Sequence, residues 1–310
     1  MILFAGIPSE APLALAIEAA ERAGVPHVIF NQRQSMHYDL ALECNGSGFT
    51  GRLSLGGSPR SLSEITGIYA RMMDTAALPE LQPTRRAPAD AESAAKARAV
   101  CALFDEVLDV LPVPVANRPS FMGSNLSKPA QAQAIVRAGL LTPPTLVTNV
   151  PEAVRAFHAD HRRVVYKSIS AARSIVREWR PDTGPDVGAV ANLPTQFQAF
   201  VPGQNVRVHV IGRELFATAI DSDAVDYRYA GRDDEDVSMT AVELPQVVAD
   251  ACVSVTRELG LTMSGIDLKR TPNDEWYCFE VNPSPAYSFF QELGGQPIAD
   301  ALVKLLAGRA

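Results

Sequence analysis

Residues 263–285, MSGIDLKRTPNDEWYCFEVNPSP, read as two short strands on either side of a turn. IDLK alternates around Asp267, TPND supplies the Pro, Asn and Asp punctuation of a tight connection, and EWYCFEV is rich in aromatic and β-branched residues. Residues i and i+2 of a strand share a face, so Glu280 and Asn282 point the same way. A hairpin partner places Asp267 beside them. Two carboxylates and an amide oxygen in one patch are all hard oxygen ligands, suited to a divalent cation such as Mg²⁺ that also holds phosphate oxygens. The pattern fits equally a half-solvated hairpin whose polar residues face water, so the rest of the chain has to choose.

The chain has 310 residues, enough for two or three packed units. With 47% hydrophobic and 20% charged residues its composition is that of a globular protein. A net charge of −7 gives no footprint for nucleic acid or an anionic membrane. No apolar run approaches the ~20 residues that a membrane span needs, and MILFAGIPSE lacks the basic n-region and cleavage site of a secretory signal. Cys44, Cys101, Cys252 and Cys278 show no metal spacing and read as reduced thiols of a cytoplasmic protein. The five histidines show no HxH or HxxxH pair, which argues against zinc.

Working back from the hairpin to the start, MILFAG predicts a buried strand, LALAIEAAERAG a helix closed by Gly24, and PHVIF a second strand, the opening of an open parallel sheet. Gly6-Ile7-Pro8-Ser9 feeds a helix N-terminus without GxGxxG, so a tight turn explains it as well as an anion site does. YDLALE, FTGRLSL and EITGIYARM predict further strands, the last ending in Arg71, which faces either a ligand crevice or a surface ion pair. Residues 88–111 have the spacing of one long amphipathic helix. The prolines of PVPVANRPS break it, and a unit boundary is placed near residue 116.

A helix is predicted over 127–138, with Lys128 at its start, where the macrodipole disfavours a cation. RRVVYKSIS is a strand carrying Lys167, an ammonium that would be costly to bury without an anion or that snorkels from a strand edge. SISAARSIV, with Arg173, is hydroxyl-rich enough to cover phosphates. Strands follow in meander around the Pro-Gly turn of QAFVPG; VRVHVIG puts Arg207 and His209 on one face, with His209 a packed strand residue. AVDYRYAGRDDEDVSM is a polar loop carrying Asp226 and Arg228, and LPQVVADACVSVTRELG is a helix.

Lys128 on a helix start, Lys167 on a strand, QAFV, NVRVHVIG, Asp226-Tyr-Arg228 and Asp267…Glu280-Val-Asn282, in that order, resemble the ATP-grasp superfamily. The resemblance is to its RimK-like members, which include glutamate ligases and the graspetide (microviridin-type) peptide cyclases. It runs from about Asn117 to Leu306, and the ANRPS, NLSKPAQAQ, LTPPTLVTN and DYR stretches lie nearer the cyclases. It implies an α/β and α+β fold in which two α+β subdomains clamp ATP behind an open parallel-sheet domain. The expected units are 1–116, an N-terminal α/β domain, 117–197, a central subdomain, and 198–310, a C-terminal subdomain with the metal site.

Carried over by position, Lys128 and Lys167 would contact ATP phosphates, and Gln198, Ala199, Phe200 and Val201 would form the hinge beside adenine. Asp267, Glu280 and Asn282 would hold Mg²⁺, or Mn²⁺ in its place. Arg207 and Arg228 would face the γ-phosphate and the acyl group. Asn205 stands where many relatives carry an acid for the ribose, and SISAARSIV lacks the usual glycines. The implied activity is ATP-dependent joining of a carboxylate to an amine or hydroxyl through an acyl phosphate, with release of ADP and phosphate. Its substrates are a small acid and amine, or a peptide that is cyclised or extended. A nucleotide-binding module without turnover is the rival from another class, and a homodimer is left open.

Overall fold

A computed structural model describes residues 1–46, 48–57, 59–82, 91–168, 176–221 and 238–308. The first strands and helices run β1 (Ile2–Gly6), α1 (Ala11–Arg22), β2 (His27–Asn31), β3 (Asp39–Asn45), β4 (Gly48–Ser54), β5 (Arg60–Ser61), β6 (Gly67–Arg71), α2 (Ala91–Val110) and β7 (Val115–Ala116). They build a parallel sheet of order β2-β1-β6-β7 and a small antiparallel sheet β3-β4-β5. Alternation along β1 divides its side chains between two cores. Leu3 and Ala5 face α2 with Phe104 and Leu108, whereas Ile2 and Phe4 face the other way.

The chain continues through α3 (Pro119–Met122), α4 (Lys128–Arg137), β8 (Thr145–Thr148), α5 (Pro151–His161), β9 (Val164–Ser168), β10 (Arg177–Trp179) and β11 (Thr195–Ala199). Strands β10-β9-β11-β8 form an antiparallel sheet with its own core, in which Val154, Val164, Trp179 and Phe197 pack together. The last elements are β12 (Gln204–Ile211), β13 (Glu214–Asp221), β14 (Ser238–Val242), α6 (Gln246–Glu258), β15 (Met263–Arg270), β16 (Trp276–Asn282), α7 (Ser288–Gly294) and α8 (Ile298–Leu306). Here the antiparallel order is β14-β13-β12-β15-β16.

One face of this third sheet, with Val206, Val208, Ile266, Leu268 and Val281, is covered by α6 and by α4, whose Ala134 and Ile135 join the same core. Helix α4 therefore packs with the C-terminal sheet. Helix α8 returns to the beginning of the chain: its Ile298, Leu302 and Leu306 pack with Phe4, Leu13 and Ala16. Burying each such large apolar side chain contributes roughly 1.5–3 kcal/mol. The approach is close enough that any side chain at Gly67 would collide with the Leu306 backbone. Asn117, 4% exposed, fastens the junction. Its amide donates to the carbonyls of Met263 (2.6 Å) and Pro283 (2.5 Å), and its oxygen accepts from the amides of Thr262 and Met263. Among the described residues no helix is long and apolar enough to cross a membrane.

Candidate functional site

The hairpin of β15 and β16 pairs Asp267 directly with Glu280 and Gly265 with Asn282, while β12 places Arg207 opposite Asp267. Directly opposed residues share a face, so Arg207, Asp267, Glu280 and Asn282 all project from the side away from the α4/α6 core. The register slips at Asp267/Leu268, where Leu268 pairs with Cys278, leaving Phe279 as an extra residue. This β-bulge reverses the alternation of β16: Cys278, 1% exposed, faces the core, and Glu280 faces out. Burial pushes the Cys278 thiol well above its ordinary pKa, so it is no thiolate nucleophile.

Each outward carboxylate meets a cation from another segment. Arg207 Nη1 donates to Asp267 Oδ1 at 2.6 Å, and Lys128 Nζ donates to Glu280 Oε1 at 2.6 Å and to Asn125 Oδ1 at 2.6 Å. This explains a lysine at a helix start: Glu280 offsets what the helix dipole disfavours. Gly265 makes room for Arg207, since a side chain there would run into the guanidinium and Pro285. Asn282 Oδ1 accepts from the Ser284 amide at 2.8 Å, so one of its lone pairs is already engaged. Two carboxylates and this amide are the oxygen donors of the patch; no three of His, Cys, Asp and Glu converge among the described residues.

Across from this face stands the β8–β11–β9 sheet, where Gln196 pairs with Lys167 and Gln198 with Val165. Lys167, 9% exposed, lines the same cleft as Asp267 and Glu280. The strand connection over Gln198, Ala199, Phe200 and Val201 forms its end wall, next to Asn205. Gln198 donates to Thr145 Oγ1 at 3.0 Å, and the amides of Ala199 and Phe200 already donate to the carbonyls of Pro144 and Arg163. Those two amides are therefore already engaged within the protein. Phe279, from the bulge, lines this cleft and a neighbouring one that contains Lys128.

The geometry thus brings together Lys128, Lys167, Arg207, Asp267, Glu280 and Asn282, with the 198–201 connection and Asn205 closing one end. Arg228, Asp226 and the 169–175 part of SISAARSIV lie outside the described residues. His209 is a packed strand residue, edge-on to Phe290 at 4.9 Å between ring centroids. Burial and Arg207 hold its pKa well below the ordinary imidazole value.

Two features were not read from the sequence. Phe279 depends on a bulge that no local pattern announces. Lys269 pairs opposite Asn205 and lines the cleft; its two-residue spacing from Asp267 was the available signal. Arg71, for which the sequence left a ligand crevice or a surface ion pair open, pairs at 2.6 Å with a Glu10 side chain that is 38% exposed, and lines a crevice where it donates to Ser284 Oγ and the Pro285 carbonyl just beyond Asn282.

No protein-family model matches the sequence, and a search of curated proteins finds no match. Solved structures do match over the full length. A RiPP-associated ATP-grasp ligase of Chryseobacterium gregarium, solved in complex with ADP and a leader and core peptide, has a TM-score of 0.81 at 21% identity, covering 100% of this chain and 97% of that one. The chain has the ATP-grasp fold. The ATP-grasp ligase PsnB, complexed with a phosphomimetic variant of a minimal precursor, Mg and ADP, gives 0.78 at 24% identity over 99% and 98% of the two chains. The D-cycloserine synthetase DcsG gives 0.60 at 17% over 100% and 99%. In ATP-grasp terms the cleft lies between the central sheet β10-β9-β11-β8 and the C-terminal sheet, with the bulged hairpin as its floor.

Proposed function

We propose that this protein is an ATP-dependent ligase that joins a carboxylate to an amine or hydroxyl on a peptide, through an acyl phosphate and with release of ADP and phosphate. The observation that carries the reading is the Asp267–Glu280 pair in a lysine-lined cleft between two sheets. That arrangement suits Mg²⁺: two hard carboxylate donors face each other with an amide oxygen alongside. Asp267, Glu280 and Asn282 would hold the metal, which supplies charge compensation for the β- and γ-phosphates when bound. Lys128 and Lys167 compensate phosphate charge as it redistributes. Arg207 keeps Asp267 oriented. In the first step a substrate carboxylate oxygen attacks the γ-phosphorus and ADP leaves. In the second an amine or hydroxyl attacks the acyl carbon and phosphate leaves, the proton passing to solvent or to the departing phosphate.

The peptide substrate is supported by two ATP-grasp ligases that share this fold, whose structures hold leader, core or precursor peptides. A small acid and amine are the second reading, favoured by the weaker likeness to a D-cycloserine synthetase. The test incubates the enzyme with ATP, Mg²⁺, candidate precursor peptides and a pool of acids and amines, following nucleotide and product mass. ADP, phosphate and a peptide lighter by one water are expected. A small ligated product without any change in the peptides supports the second reading; AMP and pyrophosphate alongside product would refute the acyl-phosphate route.

A further inference from the structure

The two carboxylates of the cleft are both matched, Asp267 by Arg207 and Glu280 by Lys128. Lys269 is a cation of the same cleft that, among the described residues, has no carboxylate within ion-pair reach. Its ammonium lies 5.4 Å from the Phe200 ring centroid and 5.9 Å from that of Phe279. On the same ring, the Arg163 guanidinium covers Phe200 at 3.7 Å from its centroid and is paired with Glu178. Two aromatic faces give Lys269 some cation–π stabilisation, but they do not replace water or a carboxylate around a half-buried ammonium.

Position along β15 indicates what the missing anion is. Lys269 stands one same-face step from Asp267, about 7 Å along the strand, toward the 198–201 connection. A nucleotide held with its β- and γ-phosphates at Asp267 and Glu280 and its base at that connection must pass its α-phosphate and ribose over this step. Asn205, paired with Lys269 across β12 and β15, offers an amide for sugar hydroxyls.

We infer that Lys269 is a further nucleotide-binding residue, a cation for the α-phosphate that works beside Asn205. The inference rests on the nucleotide site proposed above. It makes the middle of the nucleotide, and not only its phosphate tail, a point of charge recognition. Among the described residues Asn205 and Lys269 leave this end of the cleft without an acid, so the sugar is held by a neutral amide while the adjoining phosphate receives the charge.

The test is calorimetry on the full chain with Mg²⁺ and, in turn, adenosine, AMP, ADP and ATP. Lys269→Met keeps the aliphatic stem between the two rings and removes the charge. Its affinity for AMP, ADP and ATP should fall about ten- to a hundredfold while that for adenosine is unchanged, with thermal denaturation confirming an intact fold. Lys269→Arg should restore most of the loss.

Equal losses for adenosine and AMP, or unchanged AMP affinity in the folded variant, would overturn the inference. Wild-type protein that binds none of the four ligands would instead overturn the nucleotide site itself.

Discussion

His209 shows how much one buried side chain can say about pH. It is 0% exposed, both ring nitrogens lack a partner among the described residues, and the groups facing it there are the Phe290 ring and the Arg207 guanidinium. A neutral imidazole in the folded state and an ordinary one in the unfolded state mean that the unfolded chain binds more protons below pH ~6.5. Stability from this residue is therefore complete above that pH and declines as pH falls, by up to about 1.4 kcal/mol per unit. His209→Phe should flatten this part of the acid limb in urea unfolding between pH 7 and 5, with little loss at pH 7, because it removes two unsatisfied nitrogens. An acid limb of unchanged slope would show that His209 is not the titrating group. Strand alternation made the packed position of His209 legible in VRVHVIG. It could not reveal Lys269 as a surplus cation, because surplus is a property of the neighbours: only when Lys128 and Arg207 are seen on Glu280 and Asp267 does Lys269 stand without a carboxylate among the described residues.

Among the elements, β16 carries the sharpest difference between pattern and structure. Strict alternation in EWYCFEV puts Cys278 and Glu280 on one face, yet Cys278 lies in the core and Glu280 in the cleft. Asp267, Glu280 and Asn282 were legible as a patch because they lie beyond the bulge, where alternation holds. The bulge was not, since it arises from pairing with β15 and not from local composition. Removing the extra residue tests this. Deleting Phe279 leaves Asp267–Glu280 and Leu268–Cys278 as consecutive regular pairs, so the sheet core should survive with a midpoint shift of only a few degrees. Nucleotide affinity should fall at least several-fold, because Phe279 lines the cleft and flanks Lys269. A deletion variant that fails to fold would mean that the bulge is required by the hairpin itself.

Across the whole molecule, the parallel sheet and the open sequence of strands and helices were readable, because alternation and helical spacing are local. The sharing of one core by the two ends of the chain was not, since it joins residues far apart in sequence. Ile2, Phe4 and Leu13 pack with Tyr287, Ile298 and Leu302, and Asn117 bonds to the backbone at both Met263 and Pro283. The first and last units should therefore unfold together. Asn117→Ala leaves buried amides and carbonyls without partners and should lower stability by on the order of 3 kcal/mol, in urea curves that remain a single transition for these two units by tryptophan-independent probes such as far-UV circular dichroism. A separate, earlier loss confined to the parallel sheet would contradict the shared core.

That shared core also sets a timetable for synthesis. Phe4 leaves the ribosome early, but Leu302, which covers it, is translated roughly 300 residues later, some 15–60 s at about 5–20 residues per second. The sheet that opens the chain cannot close its inner face when its own strands are complete. It has to keep that face dry by other means, through transient collapse or a chaperone's hold, until α8 emerges and seals it.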